Sequence, residues 1–109
     1  MDVLQDPAWE VVADIDDVPE GQIVQWMIGD DEVALYRIGG EVFATENWCT
    51  HGDARLSNGC IKGHEVECPL HGGRFDIRTG KAMCEPVTED VKVYPIRVVG
   101  REVLARTGA

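Results

Sequence analysis

The stretch "CTHGDARLSNGCIKGHEVECPLHGG", residues 49–73, holds three of the four cysteines and all three histidines of a 109-residue chain. Cys49 and His51 form C-x-H, and Cys68 and His71 form C-x-x-H. Each half offers one thiolate and one imidazole, so together they supply four mixed ligands. Gly52 and Gly72 follow the two histidines, and Gly73 comes next; glycines let backbone pass close to a bound group. Two readings are open. Two Cys and two His suit a tetrahedral zinc ion. Zinc fingers usually pair like with like, whereas mixed halves suit two irons, one held by both cysteines and the other by both histidines.

On either side of this stretch the pattern is nearly all β. The runs "WEVVA" (9–13), "QIVQWMI" (22–28), "EVALYRI" (32–38) and "EVFATEN" (41–47) are short, β-branched or aromatic, and bounded by turn residues. Gly39-Gly40 between two of them marks a two-residue hairpin. After the stretch come "GRFDI" (73–77), a turn at 78–81, "VKVYPIRVV" (91–99) and "EVLAR" (102–106). Pro95 inside a strand-like run implies an edge or a bulge. One helical turn is expected near 14–21, where Pro19 and Gly21 stop it. Many short strands with frequent turns predict a sandwich or small barrel, with the cysteine-histidine stretch on loops. The whole chain, 1–109, reads as one domain.

Charge is unevenly spread. Residues 1–47 carry twelve Asp or Glu and one basic residue, Arg37, while residues 48–109 carry eight acidic and nine basic residues. The net charge of −10 therefore lies ahead of the cysteine-histidine stretch and excludes nucleic acid and anionic membrane as expected partners. It reads either as solubility or as an acidic face that steers a basic partner. The start "MDVLQDPAWEVV" lacks the apolar stretch of a secretory signal. No run approaches the ~20 apolar residues of a membrane span. The expectation is a soluble cytoplasmic protein whose cysteines are metal ligands or free thiols.

C-x-H…C-x-x-H followed by "GGRFDIRTGKA" (72–82) resembles the Rieske [2Fe–2S] family. The resemblance implies a small antiparallel all-β domain with two ligand loops at one tip (cluster-binding segment 48–73) and one [2Fe–2S] cluster. It places Cys49 and Cys68 on the inner iron and His51 and His71 on the outer one. It also implies a proline-bearing loop over the cluster, matched by "MCEPVTED" (83–90) with Pro86. Neutral imidazoles leave the oxidised cluster near zero charge, so adding an electron costs less than in an all-cysteine cluster.

Rieske proteins of cytochrome complexes resemble C-T-H-x-x-C and C-x-C-H-G-S-x-Y. Their disulfide cysteines correspond to Ala54 and Leu70 here, and their Ser and Tyr hydroxyls to Gly73 and Phe75. Without those donors the reduced cluster is less stabilised, and the expected potential is near ~−150 mV, the low end of the Rieske range. "CTHGDARLSNG", "ECPLHGGRFDIRTGKA", "PVT" and "YPI" resemble soluble ferredoxins of bacterial aromatic-ring-hydroxylating dioxygenase systems, most of all the naphthalene dioxygenase type. This implies a monomeric one-electron carrier, not itself an enzyme, between a flavin-containing NAD(P)H-dependent reductase and a terminal oxygenase. The competing assignment is a small Rieske-like subunit of a larger reductase, such as an assimilatory nitrite reductase. His64 is the one histidine outside the ligand pairs, too few for a mononuclear iron site with two histidines and a carboxylate.

The remaining residues read as follows. His64 is expected to be an exposed loop or strand-start residue. Cys60 and Cys84 are expected to be free, mostly buried thiols. Trp48 is expected to pack at the cluster base, and Trp9 and Trp26 in the core or between sheets. Arg55 and Arg74 either balance the acidic half or touch a partner.

Overall fold

The run "DEVALYRI" shows how the molecule is layered. It forms strand β3 (Asp31–Ile38), and its residues Val33, Ala34, Leu35 and Tyr36 are all fully buried. Alternate side chains of a strand point to opposite faces. Val33 and Leu35 join one apolar cluster, and Ala34 and Tyr36 join another. A strand buried on both faces must sit in a middle layer.

The computed structural model describes residues 9–50, 52–70, 72–85 and 87–106. The middle layer pairs β2 (Ile23–Ile28), β3, β4 (Glu41–Glu46) and β9 (Val93–Tyr94), in that order. On one side lies a three-stranded sheet of β1 (Trp9–Asp14), β11 (Glu102–Arg106) and β10 (Ile96–Val99). On the other lies the sheet β5 (Cys60–Lys62), β6 (Glu65–Glu67), β7 (Arg74–Asp76) and β8 (Ala82–Cys84). Every one of these pairings is antiparallel. The expected all-β antiparallel fold is found, as three layers rather than a two-sheet sandwich or a closed barrel.

Each layer contact has its own chemistry. Ala13, Val103 and Ala105 of the first sheet pack on Ile28, Val33, Leu35, Val42 and Ala44 of the middle one. Trp26 spans this contact and donates from Nε1 to the Val12 carbonyl at 2.8 Å, in the inter-sheet position expected of it. On the opposite face Tyr36 and Ala34 meet Val66 and Phe75 of the third sheet. The buried Tyr36 hydroxyl is satisfied by the Thr45 hydroxyl at 2.8 Å.

The run "VKVYPIRVV" is split. Pro95 has no N–H to give a ladder, and there the chain leaves β9 in the middle sheet for β10 in the first sheet. The Gly39-Gly40 hairpin forms with both residues at positive φ, 60° and 81°. Both of its N–H groups are held by the Glu20 carboxylate, at 2.7 and 2.8 Å, which keeps that carboxyl below its usual pKa. The expected helical turn is a short 3-10 helix, Ile15–Asp17, capped reciprocally by Asp14 and Asp17. Part of the acidic excess thus caps backbone. Three strands were not anticipated: β5, β6 and β8 have only three residues each, too few to show a period. Among the described residues no helix is long and apolar enough to cross a membrane.

Candidate metal centre

Two loops rise from this scaffold, and each is closed at its neck by backbone hydrogen bonds beside a cysteine. In the first, Leu56 N–H donates to the Asn47 carbonyl at 2.6 Å and Cys49 N–H to the Ala54 carbonyl at 2.9 Å. Trp48 and Arg55 form an isolated antiparallel bridge between them. In the second, β6 and β7 pair from Glu65 to Asp76, and Cys68 N–H donates to the Gly73 carbonyl at 2.7 Å. Positions 51 and 71 fall in the spans between these neck bonds. His51, His71 and Pro86, singled out from the sequence, lie outside the described residues.

The two cysteines are buried, Cys49 6% and Cys68 1% exposed. Both belong to one apolar cluster, and Cys49 is near enough to raise the Cys68 pKa. Burial pushes the Cys68 thiol up to about 11; the Leu70 amide opposes this, and the adjoining Cys49 sulfur adds to it. Leu70 N–H reaches the Cys68 sulfur at 3.4 Å. Two soft donors in a dry, close pair are a fitting seat for a thiophilic metal such as iron or zinc, which binds the deprotonated form. Among the described residues no hydroxyl reaches either sulfur. Phe75 is fully buried, and the Thr50 hydroxyl is turned to the Glu89 carbonyl at 2.7 Å.

Three loops lock together around this pair. A Cβ placed on Gly52 would lie 2.9 Å from Leu70 Cδ2, so the first loop packs on the second. A Cβ on Gly73 would lie 2.6 Å from Val87 Cγ1, so the second packs on the 83–90 segment. The Thr50–Glu89 bond joins that segment back to the first. The loop expected to cover the site is therefore fastened to both others by its described residues.

The first loop is also tied to the body. Asn47, fully buried, accepts from Ser57 N–H at 2.8 Å and donates from Nδ2 to Glu32 Oε2 at 2.7 Å. Arg55 Nε donates to the same Glu32 oxygen at 2.8 Å. The Asn47 amide and then the Arg55 guanidinium hold the Glu32 carboxyl below its usual pKa. The sequence reading missed Glu32 and Asn47, which look like ordinary strand-end polar residues. Of the two roles considered for Arg55, it takes the first and balances an acid of the N-terminal half. Arg74 does not: it pairs within its own sheet, with Glu67 at 3.3 Å and Glu65 at 3.8 Å.

Other expectations need correction. Trp48 is 44% exposed and lies under the Arg55 guanidinium, 4.3 Å from its ring centroid, rather than packed at the base. Cys60 and Cys84 are free but exposed, not buried. Cys60 pairs with Glu67, Glu67 with Arg74, and Arg74 with Cys84, so the two thiols sit on opposite edges of the third sheet. Three strand spacings, roughly 14 Å, rule out a disulfide between them. His64 is exposed in the β5–β6 turn, as expected, with its ring edge-on to Phe43.

Gly73→Ser tests the interlock. The added Cβ meets a β-branched side chain that cannot swing aside, an overpacking that costs roughly 1–3 kcal/mol. The expected outcome is a lowered midpoint in thermal unfolding, restored in Gly73→Ser/Val87→Ala.

Comparison with known proteins agrees with this geometry. The Rieske [2Fe–2S] domain model matches residues 8–95. The chain is 49% identical over 98 residues to the ferredoxin component of the naphthalene 1,2-dioxygenase/salicylate 5-hydroxylase systems of a Ralstonia species, covering 90% of this chain and 94% of that relative. Among solved structures, the ferredoxin of carbazole 1,9a-dioxygenase from Nocardioides aromaticivorans matches with a TM-score of 0.86 and 37% identity, over 91% of this chain and 97% of that one. A chain in the complex of reduced oxygenase and oxidized ferredoxin of carbazole 1,9a-dioxygenase matches with a TM-score of 0.81 and 37% identity, over 91% and 93%. Two buried thiols on interlocked loops of an antiparallel scaffold, in a chain that the family model matches over most of its length, place this chain in the Rieske [2Fe–2S] domain family.

Proposed function

We propose that this protein is a soluble, monomeric, cytoplasmic Rieske ferredoxin. It takes single electrons from a flavin-containing NAD(P)H-dependent reductase and delivers them to the terminal oxygenase of a multicomponent aromatic-ring dioxygenase. The observation that carries this reading is the pair of buried thiols, packed in one apolar cluster at the necks of two interlocked loops, in a chain whose relatives are named ferredoxin components. That naming favours an exchanging carrier over a fixed subunit of a larger reductase.

When bound, a [2Fe–2S] cluster supplies a centre that takes up and returns one electron. Cys49 and Cys68 would hold one iron of such a cluster, and His51 and His71 the other. The chain's own residues do the rest. Leu56, Val66, Phe75 and Val87 pack with the two cysteines and keep water from the thiolates. Leu70 N–H donates to the Cys68 sulfur, and the described loop residues add no hydroxyl donor. With so few donors the reduced state gains little, which supports a potential at the low end of the family's range.

The surface beside the loops suits a partner. Trp48, Leu70 and Met83 are exposed apolar side chains, 44%, 36% and 45%. Asp53 of the first loop and Glu85 and Glu89 of the 83–90 segment are exposed as well, while Arg55 and Arg74 are already ion-paired. Exposed apolar and acidic side chains on these segments fit a partner face that offers apolar and basic residues.

Three measurements test this reading. His51→Ala and His71→Ala each lose the Rieske electron paramagnetic resonance signal and most bound iron; a normal signal in either overturns the ligand assignment. Redox titration gives a midpoint near ~−150 mV, and a value above ~+100 mV overturns the account of missing donors. NADH-driven turnover with reductase and oxygenase slows as ionic strength rises; a rate indifferent to salt rejects electrostatic docking.

A further inference from the structure

Glu32 stands apart from the rest of the acidic half. It belongs to β3, in the middle layer, yet its side chain serves the first loop. One oxygen, Oε2, accepts from both Asn47 Nδ2 at 2.7 Å and Arg55 Nε at 2.8 Å. Its backbone carbonyl accepts from Asn47 N–H at 3.2 Å. Asn47 and Arg55 lie on the two sides of the neck that Cys49 enters and Ala54 leaves, so one residue of the body grips both sides.

The grip also decides what charge the loop carries. Arg55 directly follows Ala54, whose carbonyl holds the Cys49 amide, and its guanidinium lies over the Trp48 ring. A lone cation there would favour the reduced, more negative state. The Glu32 carboxylate cancels it through a direct ion pair, 19% exposed on the carboxylate side and 41% on the guanidinium side.

We propose that Glu32 is a positioning residue for electron transfer: through Asn47 and Arg55 it fixes the neck of the first loop, and by pairing with Arg55 it holds that neck without adding net charge beside the cluster. The proposal rests on the ferredoxin reading above. It separates two roles, grip and charge cancellation, that different substitutions remove.

The test uses the iron-loaded protein and its Glu32→Gln, Glu32→Ala, Arg55→Gln and Glu32→Gln/Arg55→Gln variants. Glutamine keeps an oxygen for Asn47 but no charge. E32Q is expected to retain iron at the parental rate while its reduction equilibrium shifts in favour of the reduced form, on the order of fivefold; at 59 mV per tenfold that is ~40 mV upward. R55Q is expected to shift it downward, and the double variant to return close to the parent. E32A, which loses the grip, is expected to release iron several-fold faster into a chelator. A purely structural role would move both single variants the same way. Shifts of the same sign, unmoved potentials in fully loaded variants, or parental iron release by E32A would each overturn the proposal. If R55Q does not load, Arg55→Lys replaces it: a parental potential supports the charge argument and a lowered one overturns it. A parent protein without iron and acid-labile sulfide would instead end the ferredoxin reading itself.

Discussion

Everything about this molecule follows from keeping two thiols close together and out of water. An isolated thiol gains little from such burial, and in this pair burial makes deprotonation harder. The structure holds them there by closing each loop at its neck with backbone bonds, so that each cysteine follows directly on a paired residue with its own amide engaged. The apolar layer beneath, with Tyr36, Phe75 and Leu56 fully buried, gives both necks one common floor. Cost at the thiols is thereby offset by packing around them.

The interlock explains the use of glycine on these loops. Gly52 and Gly73 do not need unusual backbone angles, unlike the Gly39-Gly40 turn. They are small because Leu70 and Val87 occupy the space a side chain would take. The same contact accounts for a position at which a hydroxyl donor is lacking. Geometry and redox tuning meet in one side-chain contact.

Much of this was legible in the sequence. The cysteine and histidine spacing pointed to the centre, and strands β1 to β4 and β11 stood where β-branched and aromatic runs between turn residues placed them. What was not legible has physical reasons. Strands of three residues carry no period: β5 and β6 were hidden inside the stretch read as loops, and β8 beside the proline-bearing segment. Burial of Cys60 and Cys84 was inferred from the habits of free cysteine, but both lie on edge strands of a thin sheet. Trp48 followed a polar neighbour and preceded a buried one, and only the placement of Arg55 reveals that its ring lies at the surface. The Glu32–Asn47–Arg55 network joins residues far apart in sequence, which no local pattern records.

The order of strands implies an order of assembly. The third sheet runs β5-β6-β7-β8, each strand beside its neighbour in the chain, and β2, β3 and β4 do the same in the middle sheet. The first sheet instead joins β1 to β11, from opposite ends of the chain. Closing long loops costs entropy before any contact repays it, so nearby pairings form first. Both cysteine-bearing necks precede β11 in the chain and close over short loops. The seat for the metal can therefore take shape while the two ends of the chain are still apart.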